Sequence, residues 1–199
     1  ALRSSSVDCL QLHGPVYERI GYDGAMPIVE EILKLRDEGL CRFVGLTGHG
    51  GFETQLRLVR TGAFDQLLIA YGYFARAYSS TISHASLAWR DVSLAEAHRR
   101  GMAVVAMKVL GASFMGHRSG ELAPEMSAED RRRVIGAAIR WVLSDERISI
   151  LNIGISVAED IDQDIEVFRE EGRTREHALH RGERVDVLVY GLLAAEWRE

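Results

Sequence analysis

The sequence predicts an α/β fold in which parallel strands alternate with helices. Short apolar runs recur along the chain, and a stretch with helical periodicity follows each of them. The first run, residues 7–14 (VDCLQLHG), places a histidine, His13, at the end of a strand. Four further runs occupy residues 42–47, 65–70, 103–107 and 149–153. In folds of this kind the chemistry lies at the carboxyl ends of the strands, so His13 is a candidate catalytic residue.

The helices that follow the first two strands have clear boundary signals. Pro27 suits a first helical turn and Gly39 suits the left-handed residue that ends a helix, so a helix is expected between them. Residues 52–61 carry the next helical pattern, and Gly62 ends it in the same way.

A longer connection is expected after the third strand. Residues 71–91 contain several aromatic side chains without clear periodicity, and long loops on the carboxyl side of strands often have functional roles. Ser93 and Glu96 then form a capping box, which predicts a short helix that Gly101 ends.

Two more capping residues predict the last helices. Ser127, with Asp130 three residues later, begins a helix that runs to Ser144, and Ser156 begins another. Residues 171–199 form a tail with an apolar run. We expect this tail to pack as a terminal helix on the domain formed by residues 1–170.

Composition indicates a soluble protein with a single domain. Of the 199 residues, 47% are hydrophobic and 27% are charged, which is enough apolar content for one core. The formal net charge of -5 disfavours nucleic acid and anionic membrane surfaces as partners. No apolar run reaches the length of a membrane span, and two cysteines form no disulfide framework. We therefore expect a cytoplasmic protein.

The residue pattern gives little support to metal-dependent or hydrolytic chemistry. The seven histidines are dispersed, and neither an HExxH motif nor a cysteine–histidine spacing typical of zinc sites occurs. A GxSxG motif for a serine hydrolase is also missing. No metal site is predicted.

Two loops have residues suited to a nucleotide. The stretch 45–51 (GLTGHGG) follows a strand, and its backbone amides can approach a phosphate or an amide group, although an ordinary tight turn is an equally good explanation. Residues 107–113 (MKVLGAS) combine a lysine, a glycine and a hydroxyl, which suits a pyrophosphate.

His13 has an alternative interpretation to that of a catalytic residue. It can equally be a histidine in the core whose ring is hydrogen-bonded.

The order of five segments resembles that of the aldo-keto reductase family. The segments, found within residues 2–168, are DCLQLHG, AMPIVEEILKLRDEGLCRFVGLTGHG, FDQLLIAYGY, LAEAHRRGMAVVAMKVLG and AAIRWVLSDERISILNIGISVAEDIDQDI. The resemblance is strongest to the branch with TGH and MKxLG motifs. It implies a (β/α)8 TIM barrel, of which this chain would supply roughly strands 4 to 8 with their helices. The implied reaction is hydride transfer from NADPH or NADH to a small-molecule aldehyde or ketone.

The resemblance also implies roles for individual residues, all at the carboxyl face of the barrel. His13 matches the family's active-site histidine, which orients the substrate carbonyl, and Tyr71 lies where substrate would bind. The residues implied to hold the NADP or NAD cofactor are Thr47, Gly48, His49, Met107, Lys108, Leu110, Gly111, Gly154, Ser156, Asp160 and Asp164.

The chain departs from the family pattern at the adenosine end of the cofactor. Asp160 stands where many NADPH-dependent members have an arginine for the 2′-phosphate, and Gln163 and Asp164 replace a glutamate and an asparagine. A carboxylate repels that phosphate and can accept a hydrogen bond from a ribose hydroxyl. NADH is therefore a more plausible cofactor for this chain than for most members of the family. Leu68 replaces the glutamine expected beneath the nicotinamide.

The family's first three βα units, with a catalytic aspartate, tyrosine and lysine, would precede Ala1. By this resemblance the chain is expected to be a fragment that lacks the proton-donating tyrosine and self-associates through open strand edges. The alternative is a non-catalytic barrel remnant that binds a nucleotide or a protein partner. An unrelated phosphate-binding isomerase barrel would need a catalytic carboxylate at a strand end, and none is evident.

Overall fold

The computed structural model of the protein describes residues 4–74, 84–111, 125–155, 161, 162, 165, 167, 178–180, 183–185 and 188–190. The chain divides into two compact units. Unit 1 comprises residues 1–69 and 82–104, and unit 2 comprises residues 70–81 and 105–199.

The strands of unit 1 are parallel. They are β1 (Val7–His13), β2 (Cys41–Gly48) and most of β3 (Gln66–Ala70). His13 lies opposite Thr47 in the β1–β2 pair, and β2 pairs with β3 on its other side. Among the described strands, β1 pairs with β2 alone.

Three helices belong to unit 1: α1 (Gly14–Asp37), α2 (Phe52–Arg60) and α3 (His84–Arg99). Helix α1 packs on β1, β2 and α2, and α2 packs on β2 and α3. Alternate residues along a strand point to the same side, and one side is buried towards the carboxyl ends of the strands. Its side chains are Leu12, Val44, Leu46, Leu67 and Ile69. The opposite face is half-buried and includes Phe43, which is 39% exposed.

Helix α1 begins earlier than Pro27 predicts. It starts at Gly14, directly after β1, and Pro27 lies inside it, so the predicted start is wrong. A proline, Pro15, also occupies the first helical turn, and this earlier signal determines where the helix begins. Gly21, with φ 72° and ψ −177°, interrupts the helix. The end is as predicted, since Gly39 has φ 79°.

Helix α3 is longer than its capping box predicts. It begins at His84, so the predicted cap at Ser93 and the extension of the loop to residue 91 are both wrong. Ser93 is buried within the helix, and its hydroxyl donates to the carbonyl oxygen of Phe52 over 3.2 Å. The hydroxyl is therefore satisfied by packing against α2 instead of by capping. The helix ends shortly before Gly101, as predicted, where φ is 70°.

Unit 2 contains the end of β4 (Ala103–Met107), α4 (Ala128–Leu143) and β5 (Ile150–Asn152). Strands β4 and β5 are parallel, with Met107 opposite Asn152. The predicted cap of α4 is confirmed, because the Ser127 hydroxyl oxygen accepts from the Asp130 backbone N–H over 3.0 Å. Ser156, the predicted cap of the last helix, lies outside the described residues.

The described parts of the tail contain strands, so the predicted terminal helix is wrong there. Strands β6 (Ala178–His180) and β7 (Glu183–Val185) form an antiparallel pair, and β8 (Leu188–Tyr190) pairs in parallel with β5. The physical reason is composition: the run from residue 185 to 190 (VDVLVY) is rich in valine with a tyrosine, which favour extended backbone.

The alternation of β1 to β5 with helices confirms the predicted α/β class with parallel strands. Each of the five predicted strands agrees with the structure to within one residue at both ends. No helix in the described part of the chain is both long and apolar enough to span a membrane.

Candidate functional site

His13 lies where β1 ends and α1 begins. Its backbone is extended, with φ −82° and ψ 136°, and its side chain is exposed. It faces Thr47, which is buried near the end of β2. The imidazole is thus carried at the carboxyl ends of two parallel strands, as predicted. Its exposure does not agree with the alternative of a core histidine.

Two glycines allow α1 to approach the end of β2 closely. A β-carbon on Gly48 would lie 2.0 Å from the Tyr17 hydroxyl oxygen, and one on Gly14 would lie 2.8 Å from the Gly48 α-carbon. Tyr17 is fully buried, donates its hydroxyl hydrogen to the Thr47 carbonyl oxygen over 3.2 Å and accepts from Gln55 over 3.1 Å. Burial raises the pKa of Tyr17 well above its usual range. Tyr17 therefore fixes the backbone beside His13 and is a poor proton donor.

The loop between β2 and α2 is covered by the exposed side chain of Glu18. A β-carbon on Gly51, where φ is 57°, would lie 2.6 Å from Glu18 Cγ. β-Carbons on Gly14 and Gly50 would lie 3.2 and 3.7 Å from Glu18 Oε1. His49, in the same loop, is also exposed. The Glu18 carboxylate repels a phosphate at this loop and attracts an N–H donor.

The loop after β4 contains a lysine with a left-handed backbone. Lys108 has φ 60° and Gly111 has φ 66°, and the Gly111 N–H donates to the Lys108 carbonyl oxygen over 2.8 Å. A non-glycine residue in this region costs about 1–3 kcal/mol, and such strain is concentrated at functional sites. Gly72 packs so closely that a β-carbon there would lie 2.7 Å from the Val109 carbonyl oxygen. The side chains of Met107, Val109 and Leu110 in this loop region are buried.

Tyr71 is buried and fully engaged within unit 2. Its N–H donates to the Met107 carbonyl oxygen over 2.9 Å, and its ring stacks on Trp141 with centroids 5.2 Å apart. Its hydroxyl donates to Asp145 Oδ2 over 2.5 Å, and Arg147 donates to both oxygens of that carboxylate over 2.8 and 2.6 Å. Burial and the Asp145 carboxylate raise the pKa of Tyr71 to about 12. Tyr71 as a substrate-binding residue stays a prediction.

Asp145 should make the stability of the protein pH-dependent. Burial alone would raise the pKa of its carboxyl, but hydrogen bonds from Arg147 and Tyr71 outweigh this effect and lower the pKa below its ordinary value of 3.8. Because folding lowers the pKa, the stabilisation is present above pH 3.8 and is lost as the pH falls through the folded-state pKa.

We therefore expect Asp145→Asn to reduce the free energy of unfolding at pH 7 by about 1.5–3 kcal/mol, the usual contribution of hydrogen bonds to a charged group. Urea unfolding at pH 7 and at pH 3 measures the free energy of unfolding of the variant and of the unaltered protein. The difference between the two proteins should be smaller at pH 3 than at pH 7. The control is Glu146→Gln, at an exposed neighbouring carboxylate. Equal stability of the Asp145→Asn and Glu146→Gln variants at pH 7 would contradict the prediction.

The remaining predicted residues lie towards the end of the chain. Gly154 is exposed, and a β-carbon there would meet nothing within 4 Å. Ser156, Asp160 and Asp164 lie outside the described residues. Within the described ranges, no group of three or more His, Cys, Asp or Glu side chains is placed to hold a metal ion.

The structure brings together two sets of predicted residues, one in each unit. The set in unit 1 is His13, Thr47, Gly48 and His49, and the set in unit 2 is Tyr71, Met107, Lys108, Leu110 and Gly111. Sequence patterns gave no indication of Tyr17, Glu18, Gln55, Asp145 or Arg147. Gly14 directly after His13 is the signal that could have indicated the close packing around Tyr17.

Neither a protein-family model nor a curated protein matches this chain.

Proposed function

We propose that the chain forms part of a (β/α)8 barrel of the aldo-keto reductase type, an enzyme that transfers hydride between NADP or NAD and an aldehyde or ketone. The observation that carries the proposal is the exposed His13 imidazole at the carboxyl end of β1, opposite Thr47 and next to a glycine-rich loop. Parallel strands that alternate with helices, and a strained Lys108 after β4, also support it.

In this proposal His13 orients the substrate. Its imidazole N–H donates a hydrogen bond to the carbonyl oxygen and so stabilises the negative charge that develops there. Tyr17 donates a hydrogen bond to the Thr47 carbonyl oxygen, so the backbone beside His13 is positioned before substrate binds. A bound nicotinamide supplies or accepts the hydride.

The residues present fit a dinucleotide. Lys108 combines a half-exposed cationic side chain with a left-handed turn to Gly111, and its ammonium group is suited to the negative charge of a pyrophosphate. The loop at Gly50 and Gly51 carries the Glu18 carboxylate and suits a neutral amide better than a phosphate. In this proposal Lys108 would hold the pyrophosphate of the cofactor.

Titration of NADH and NADPH into the purified chain tests the proposal. Cofactor fluorescence should change on binding, and Lys108→Gln should weaken binding about tenfold, as expected for the loss of a charge-assisted phosphate contact worth roughly 1.4 kcal/mol. Lys34→Gln, at an exposed lysine paired with Glu31 on α1, is the control and should bind like the unaltered chain. Failure of both dinucleotides to bind would overturn the proposal.

Asp160 should set the preference between the two cofactors. Asp160→Arg should strengthen NADPH binding relative to NADH by about 1–3 kcal/mol, because a guanidinium forms charge-assisted hydrogen bonds with the 2′-phosphate. Both cofactors are titrated into the variant and into the control Asp162→Arg, which makes the same charge change at an exposed position. If the ratio of affinities does not change, Asp160 does not face the nucleotide.

A second candidate function is a barrel remnant that binds a partner without catalysis. It is favoured by the half-buried sheet face of unit 1, where Phe43 is 39% exposed. Light scattering of the unaltered chain and of the Phe43→Lys variant distinguishes this candidate from the reductase. If the unaltered chain self-associates, the variant does not, and neither binds a dinucleotide, the non-catalytic remnant is favoured.

A further inference from the structure

We infer that Tyr71 is a positioning residue for Lys108: its hydroxyl, anchored on Asp145, holds the turn from Lys108 to Gly111 in the shape that presents the lysine to a phosphate group. This role differs from the substrate contact that the family resemblance implies for Tyr71. The phosphate part of the inference rests on the function proposed above, whereas the hold on the turn is a property of the chain alone.

The turn at Lys108 needs support from its surroundings. Lys108 has a φ of 60°, a region that a residue with a side chain adopts at a steric cost and keeps only where the neighbouring structure fixes the backbone. One fixing contact lies within the turn, where the Gly111 N–H donates to the Lys108 carbonyl oxygen over 2.8 Å. Further contacts come from the segment that follows β3.

The two residues after β3 lie directly against this turn. The Tyr71 N–H donates to the carbonyl oxygen of Met107, the residue before Lys108, over 2.9 Å. A β-carbon on Gly72 would lie 2.7 Å from the Val109 carbonyl oxygen and 3.1 Å from that of Lys108, so the two backbones are in contact. Because the contacts at Met107 and Val109 flank Lys108, a displacement of Tyr71 would also displace the lysine backbone.

The side chain of Tyr71 is anchored at two points. Its ring stacks on Trp141 with centroids 5.2 Å apart, and its hydroxyl donates to Asp145 Oδ2 over 2.5 Å. Asp145 is itself fixed by Arg147, which donates from its backbone N–H over 3.0 Å and from its guanidinium over 2.8 and 2.6 Å. Hydrogen bonds to an ionised carboxylate are among the stronger ones in proteins. Tyr71 therefore has little freedom to move, and its backbone transmits this constraint to the Lys108 turn.

Amide hydrogen exchange of the Tyr71→Phe variant tests the hold on the turn without a ligand. The substitution removes the hydroxyl and keeps both the ring and the backbone N–H. The Gly111 amide, which donates to Lys108, reports the opening of the turn. The Leu151 amide reports the opening of the surrounding sheet, because β5 pairs with a strand on each side.

Gly111 should exchange at least about tenfold faster in Tyr71→Phe than in the unaltered chain, whereas the exchange of Leu151 should change by less than about threefold. Ser93→Ala is the matched control, since it removes a buried hydroxyl-to-carbonyl hydrogen bond in unit 1 and should leave Gly111 unchanged. Equal acceleration at Gly111 and Leu151 would mean that Tyr71 only stabilises the unit as a whole, and it would overturn the inference. Unchanged exchange of Gly111 would overturn it as well.

A double-mutant cycle on cofactor affinity tests the phosphate part. NADH is titrated by calorimetry into the unaltered chain, Tyr71→Phe, Lys108→Gln and the double variant. Tyr71→Phe should weaken binding about three- to tenfold when Lys108 is present and by less than about twofold when glutamine replaces it, because no charge is then left to position.

Equal losses in the two backgrounds would show that Tyr71 affects binding independently of Lys108, and they would overturn the inference while leaving the proposed function standing. If NADH binds to no form while Gly111 exchange responds as expected, the phosphate part fails together with the proposed function, and the hold of Tyr71 on the turn stands.

Discussion

Gly48→Ala is expected to destabilise the protein by about 3 kcal/mol, the upper part of the usual range for an extra methyl group in a packed region. The new β-carbon would lie 2.0 Å from the Tyr17 hydroxyl oxygen and 2.9 Å from Gln55 Nε2. Tyr17 and Gln55 are both fully buried, so neither side chain can move away without a shift of α1 or α2. Chemical unfolding in urea measures the loss.

Gly50→Ala is the matched control for this prediction. Its β-carbon would meet only Glu18 Oε1, at an ordinary distance of 3.7 Å, so its effect should stay within about 0.5 kcal/mol. Tyr17→Phe should partly rescue Gly48→Ala, because it removes the atom that the new methyl group meets first. The double variant should then be more stable than the sum of the two single effects predicts. Equal stability of Gly48→Ala and Gly50→Ala would show that the approach of α1 to β2 is not tight.

Residues 1–199 are expected to reduce aldehydes about 10²–10⁴-fold more slowly than a reductase with a positioned general acid, which is the usual contribution of such an acid. Tyr17 donates its hydroxyl hydrogen to the Thr47 carbonyl, and Tyr71 donates to Asp145. Burial raises the pKa of Tyr71 to about 12, so neither of these tyrosines is a good acid near neutral pH. In the proposed reaction His13 would polarise the carbonyl but would not replace a general acid.

Oxidation of NADH and NADPH with a panel of small aldehydes measures the difference. The control is His13→Gln, which should bind cofactor normally and lose the remaining turnover. Turnover of residues 1–199 in the usual range of enzymes, about 1–10³ s⁻¹, would place the acid within this chain. Tyr73→Phe would then identify it, because Tyr73 is 65% exposed.

Local sequence signals predicted the strands and the starts of α2 and α4 well, but the predicted starts of α1 and α3 were wrong. The β4 run (AVVAM) is apolar, Gly101 lies two residues before it and Lys108 follows it directly, and its predicted limits agree with the structure. Ser93 has the sequence context of a cap but lies within α3, where its hydroxyl is satisfied by the carbonyl of Phe52. That partner belongs to another helix, and sequence spacing contains no information about it. A cap and a buried hydroxyl therefore look alike until tertiary packing is known.

In the candidate site, too, sequence patterns predicted the strand ends but not the tertiary contacts. The pairing of His13 with Thr47 was predictable, because parallel strands bring their carboxyl ends to one edge. The contacts of Glu18 with the glycine loop and of Tyr17 with Thr47 were not, because both depend on α1 starting at Gly14 without an intervening loop. The Asp145–Arg147 pair was also missed, since its importance comes from the hydrogen bond to Tyr71, which lies 74 residues away in the chain.

The left-handed backbone of Lys108 has a consequence for directed evolution of this protein. Glycine occupies that conformation without steric cost, so Lys108→Gly should relieve strain, and selection for heat resistance alone would favour it. If Lys108 binds a nucleotide as proposed, selection for that binding would favour the lysine, because glycine has no charge to offer a phosphate. The two kinds of selection would therefore enrich different residues at position 108 from the same library, and the residue enriched would show which property had been under selection.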